Sequence, residues 1–153
     1  MDEFSKHLNE LFVDTFRSIL KVEEEMLRGS TAMDLTINEM HLIESVGKCK
    51  EDGRTISSIA EDIGITLPSV TVAINKLQKK GYVEKIRGEA DSRTVFVKLT
   101  KNGKRIDAAH RYFHENMVRN VVTQMNEEEK KALFKGVVKL NDFFKNRIRS
   151  GEE

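Results

Sequence analysis

Residues 55–105 read TISSIAEDIGITLPSVTVAINKLQKKGYVEKIRGEADSRTVFVKLTKNGKR, a run in which the hydrophobic period changes once. Its first half repeats apolar residues at helical spacing, with Gly64 four positions after Ala60 and Val70 six positions further on. That spacing suits two helices crossing closely over a short turn, the helix-turn-helix geometry. Ala60 permits close approach, and Gly64 can take the positive φ that ends a helix. Ile59, Ile63, Ile65, Val70, Ile74 and Leu77 are expected to fill the space between the two helices. Thr55 and Thr66 are the predicted N-caps. Pro68 fits the first turn of the second helix, where an amide N–H has no intrahelical partner in any case.

After Gly81 the period shortens. Tyr82, Val83 and Ile86 precede the turn-like Gly88-Glu89-Ala90-Asp91-Ser92, and Thr94 to Leu99 return with β-branched and aromatic residues. The reading is a two-stranded wing whose tip is flanked by Arg87 and Arg93. A second helix of this kind fits a major groove, and a basic hairpin tip fits the adjacent minor groove. An ordinary αα-hairpin followed by a plain surface hairpin would give the same periods, so charge is the independent discriminator. Residues 66–105 carry 10 Lys and Arg against 3 Asp and Glu, whereas the other 113 residues carry 16 against 22. A net +7 thus coincides with the recognition helix and wing, where phosphate contacts belong.

Composition sets the remaining bounds. At 153 residues, 39% hydrophobic and 33% charged, the chain is long enough for one real core and short for two. No apolar run approaches 18 residues, and the first segment mixes Lys6, His7, Glu10 and Asp14 among its apolar positions. No membrane association and no leader are therefore expected, and the cytoplasm is the expected location. A single cysteine, Cys49, excludes an internal disulfide framework and reads as a bystander. No nucleophile motif, phosphate loop or dinucleotide fingerprint occurs, which argues against an enzyme.

Outside the motif the pattern is helical. Residues 2–28 lack Gly and Pro and repeat Phe4, Leu8, Leu11, Phe12, Phe16, Ile19 and Leu20 mostly at three and four. A shorter helix opens with the capping box Thr36–Glu39, a long one runs from about Thr100 to Val122, and another opens with Asn126 and Glu129. The chain is thus predicted to be mainly α with a small β-wing. It is read as a single domain over 1–153, a winged helix-turn-helix over 36–104 with dimerisation helices over 1–30 and 105–150. The greasy faces of the first and last helices exceed a monomer's needs and predict a homodimer reading two half-sites about 34 Å apart.

This order of elements resembles the MarR family of bacterial winged-helix transcriptional regulators over essentially the whole chain. Asp91-Ser92-Arg93 and Leu99-Thr100-Lys101-Asn102-Gly103 are similar to that family's Asp-x-Arg and Leu-Thr-x-x-Gly. The resemblance implies a duplex-DNA partner, with Arg93 in the minor groove and Asp91 shaping the wing. On the motif's helices, Ser57, Thr66, Ser69, Thr71, Val72 and Asn75 are the candidate DNA-facing residues. Asn75 can pair with an adenine edge, and Thr71 and Val72 offer methyls to thymine, so an A/T-leaning pseudo-palindromic operator is expected. Lys76, Lys79 and Lys80 are expected at phosphates.

Two effector readings stay open. Val22-Glu23-Glu24, Leu27-Arg28-Gly29-Ser30, Glu39-Met40-His41, His110, Phe113-His114 and Met117-Val118 resemble the subgroup that represses fatty-acid-synthesis genes, with long-chain acyl groups on acyl carrier protein as corepressor. The candidate pocket comprises Met26, Leu27, Met33, Met40, His41, His110 and Phe113, since methionines adapt to a variable chain but also simply fill cores. No cofactor is required on this reading. Alternatively, His110 and His114 stand at i and i+4, and Glu23, His41, His110 and His114 resemble the zinc site of the family's zinc-sensing repressors. The second site of those sensors is unmatched, because its places correspond here to Gly29 and Met40.

Overall fold

The computed structural model describes residues 1–29, 34–49, 53–87 and 94–150. With neither Gly nor Pro before its end, the first segment forms one long helix, α1 (Glu3–Gly29), started by the Asp2 carboxylate accepting the Ser5 N–H. Helix α2 (Ile37–Gly47) opens with the expected capping box: the Glu39 N–H donates to the Thr36 hydroxyl while the Thr36 N–H donates to the Glu39 carboxylate. Then follow β1 (Arg54–Thr55), α3 (Ile56–Ile63) and α4 (Leu67–Lys79). Strands β2 (Val83–Arg87) and β3 (Val95–Leu99) lead into α5 (Lys101–Val122) and α6 (Glu127–Ser150). Thr55 and Thr66 cap α3 and α4 as predicted. Gly64 adopts φ 76° at the end of α3, a region costly for any residue with a Cβ.

The chain divides into two compact units, Met1–His110 and Arg111–Glu153, with the boundary inside α5. In the first unit the core is built by α2 (Leu42, Ile43, Val46), α3 (Ile59, Ala60), α4 (Val70, Ile74, Leu77) and the strands (Val83, Val97, Leu99). Val70, Ile74 and Leu77 stand at i, i+4 and i+7 and are fully buried, each contributing roughly 1.5–3 kcal/mol. Two expectations are corrected here. Ile65, expected between the helices, is 41% exposed, because the left-handed turn at Gly64 swings the next residue outward. The sheet has three strands rather than two, in the order β1-β3-β2, since Arg54 and Thr55 pair antiparallel with Val97 and Phe96.

The Leu99–Gly103 signature has a local cause. The Thr100 hydroxyl donates to the Gly81 carbonyl and accepts the Gly103 N–H, capping α5, while the Thr100 N–H donates to the Tyr82 carbonyl. A Cβ on Gly103 would lie 2.0 Å from that Tyr82 oxygen, so only glycine lets α5 start against the beginning of the wing.

In the second unit, Asn126 accepts the Glu128 and Glu129 N–H groups and the Glu129 carboxylate accepts the Asn126 N–H, the predicted capping box of α6. Phe134, Phe143, Phe144 and Ile148 stand exposed along α6, as do Phe4, Leu11 and Phe16 along α1 in the first unit. No helix among the described residues is long and apolar enough to cross a membrane.

Candidate nucleic-acid interface and a buried carboxylate–histidine cluster

The stripe that buries Val70, Ile74 and Leu77 leaves the opposite side of α4 in solvent. Thr66, Leu67, Ser69, Thr71, Val72, Asn75, Lys76 and Lys79 are all exposed, Val72 to 64%. Their polar groups are not equally available. The Thr66 and Ser69 hydroxyls bond each other while Thr66 caps the Ser69 N–H, and the Thr71 hydroxyl donates back to the Leu67 carbonyl. Their hydrogen-bonding atoms thus serve the helix first, leaving their methyl and methylene surface, with Val72, as the apolar part of the face. Ser57 is exposed on α3, its hydroxyl paired with that of Thr55. Arg87 is exposed at the end of β2. Asp91 and Arg93 lie outside the described residues.

Lys80 departs from expectation. Its ammonium donates to both Glu39 carboxylate oxygens at 3.0 and 2.9 Å and to the Asp34 carbonyl at 2.6 Å, so it binds the start of α2 and is not available to a phosphate. Burial would raise the Glu39 pKa, but the Thr36 amide and the Lys80 ammonium outweigh it and hold the carboxyl below its usual value. The hydrogen bond to Glu39 in turn raises Lys80. A pair 41 residues apart thereby joins the end of α4 to the start of α2, and nothing in the sequence pattern signals it.

A second network anchors the other helix of the motif. The Asp62 carboxylate accepts from the Ser45 hydroxyl at 2.7 Å, the Lys48 ammonium at 2.9 Å and the Arg54 guanidinium at 2.8 Å. Arg54 also donates to the Ser45 and Ser58 carbonyls. Burial alone would raise the Asp62 pKa, and the bonds from Lys48, Ser45 and Arg54 more than reverse that, taking it from 3.8 to about 2.

Away from this face, Glu23 on α1, His41 on α2 and His110 on α5 place one ligand atom each within 4.8 Å of one another. Glu23 and His110 are buried, the two rings lie 6.0 Å apart, and His110 Nδ1 is 3.6 Å from the Glu44 carboxylate. Three of the four predicted metal ligands are therefore gathered. His114 belongs to the second unit, where its ring meets Phe113 edge-on at 5.3 Å. The trio fits a zinc ion in donor chemistry, supplying three of the four ligands a tetrahedral site takes. Of the acyl-pocket candidates, Leu27 and Met40 are buried in the first unit and Met26 is half-buried. Met33 lies outside the described residues.

Residues 29–109, just over half of the chain, match the family model described as transcriptional regulator SarA/Rot. The chain belongs to the SarA/Rot family of transcriptional regulators. The crystal structure of Streptococcus pneumoniae FabT in complex with DNA is similar to this SarA/Rot chain at 37% identity. The match covers 93% of this chain and 98% of that one, with a TM-score of 0.89. YfiV, an uncharacterized HTH-type transcriptional regulator of Bacillus subtilis, is 33% identical over 92 residues. That match takes in 60% of this chain and 57% of YfiV, little more than half of the relative. A MarR family protein from Bacillus stearothermophilus shares the fold, with a TM-score of 0.72 at 18% identity over 95% of this chain and 99% of that one. The MarR-type winged helix read from the sequence is thus borne out, and the SarA/Rot family is one of DNA-binding regulators, not of enzymes.

Proposed function

We propose that this regulator is a cytoplasmic homodimer that represses fatty-acid-synthesis genes and takes acyl carrier protein bearing a long acyl chain as its effector. The likeness to DNA-bound FabT over nearly the whole chain carries this reading, together with the subgroup motifs around Glu23, Met40, His41 and His110. In the mechanism, α4 enters the major groove of each half-site. Val72 meets thymine methyls, Asn75 meets a base edge, Lys76, Lys79 and Arg87 meet phosphates, and Arg93, set by Asp91, enters the minor groove. Both recognition helices must reach successive grooves together. An effector that prefers one dimer geometry therefore changes affinity by its differential binding to the two.

The test is fluorescence anisotropy of metal-stripped protein on promoter DNA of fatty-acid-synthesis genes, with long-chain acyl carrier protein titrated in. Tighter binding supports a lipid-responsive repressor, and no response removes the lipid effector. A second reading, a zinc-responsive repressor, is favoured by the convergence of Glu23, His41 and His110. A bound zinc would supply a cationic cross-link among these three side chains. Titrating zinc in the same assay distinguishes it, since only this reading expects a response that disappears in a His41→Ala variant.

A further inference from the structure

Among the described residues, one side chain that no sequence pattern selected reaches the proposed reading face from outside α4. Lys85, half-buried in the middle of β2 opposite Val97, donates its ammonium to the Asn75 side-chain carbonyl oxygen. Asn75 is exposed on α4, five positions beyond Val70 and one beyond Ile74. An ammonium carries donors only, so the atom that faces it must be the amide oxygen, and the Asn75 NH2 is turned the other way. The lysine thereby removes the two-fold ambiguity that a free, exposed asparagine would keep.

We propose that Lys85 is a positioning residue for sequence readout, which converts Asn75 from an adenine reader into a donor that selects guanine. The proposal rests on α4 being the major-groove reader. Bidentate recognition of adenine needs the asparagine oxygen to accept from N6 while its NH2 donates to N7. Here one lone pair of that oxygen already accepts from a cationic donor, which withdraws electron density from the other and makes it a poorer acceptor for adenine N6. Guanine presents two adjacent acceptors, N7 and O6, to the groove. The Asn75 NH2 and the N–H groups left on Lys85 are all donors, so the pair matches both acceptors of guanine but only N7 of adenine, whose N6 amino group it meets with a weakened acceptor. This revises the base assigned to Asn75 from sequence, where the helix was considered without its wing.

The experiment is selection from a pool of randomised duplex DNA by the full chain, comparing wild type with Lys85→Met, Lys85→Arg and Asn75→Ala. The wild type is expected to enrich guanine over adenine at one base pair in each half-site, with that ratio falling about tenfold in Lys85→Met. Lys85→Arg, which keeps a donors-only partner, is expected to retain the preference even if Lys85→Met folds poorly. Asn75→Ala should lose preference at the same base pair and at no other. A merely structural lysine would weaken binding to all sequences alike, so an unchanged base profile in folded Lys85→Met overturns the proposal. Enrichment of adenine by the wild type at the position that Asn75→Ala abolishes also overturns it. A wild type that enriches no sequence would instead defeat the sequence-specific regulator reading on which the proposal stands.

Discussion

A methyl group at position 103 would arrive 2.0 Å from the carbonyl oxygen of Tyr82, a backbone atom with no freedom to retreat while the Thr100 N–H bonds it. Gly103→Ala is therefore expected to destabilise the protein by about 2–4 kcal/mol, although alanine is the better helix former, and a chemical unfolding curve measures it. Asp62 shows the same dependence on a single atom group through charge. Its folded pKa of about 2 lies below the unfolded value, so its contribution is present above about pH 4 and is lost as pH falls toward 2. Because solvent screens the partly exposed carboxylate, that contribution is only on the order of 1 kcal/mol. Unfolding curves taken through that window should show the wild type losing stability that an Asp62→Asn variant, already weaker at neutral pH, does not lose.

Between elements, the contact of most consequence is the tie from Lys80 at the end of α4 to Glu39 at the start of α2. Lys80→Met would strand a carboxylate that is only 7% exposed, with an expected cost of about 1–3 kcal/mol. A Glu39→Gln, Lys80→Met double-mutant cycle, read by thermal unfolding, should show that the two losses are not additive. What was legible in the sequence follows from range. The caps at Thr36, Thr55, Thr66 and Asn126 depend on residues two or three positions away, and the buried faces of α3 and α4 follow from a single period. Strand β1 was not legible, since two residues carry no period and pair only because β3 passes beside them. Lys80 was misread for a related reason. A lysine in a basic segment looks free until a carboxylate 41 residues earlier folds against it. Ile65 looked internal because a count of helical positions runs straight through the turn that Gly64 makes.

For the whole molecule, the exposed phenylalanines of α1 and α6 bear on assembly. Phe144→Glu is expected to convert a species of twice the chain mass into monomer in light scattering, and to weaken operator binding through loss of the second half-site. A dimer of unchanged mass and affinity would remove α6 from the partner face, and a monomeric wild type would remove the proposed homodimer. The threonine caps have a different consequence. Thr36, Thr55, Thr66 and Thr100 start α2, α3, α4 and α5, and none of these hydroxyls ionises at any pH a cell meets. The grip on DNA is ionic and dissolves as counterions compete for the phosphates, whereas these hydroxyl caps are indifferent to them. Raising salt from about 50 to 200 mM should thus lower DNA affinity by orders of magnitude while the melting temperature of the free protein barely moves. Ionic strength becomes chiefly a dial for occupancy, turning the tool loose from its template with little blunting of it.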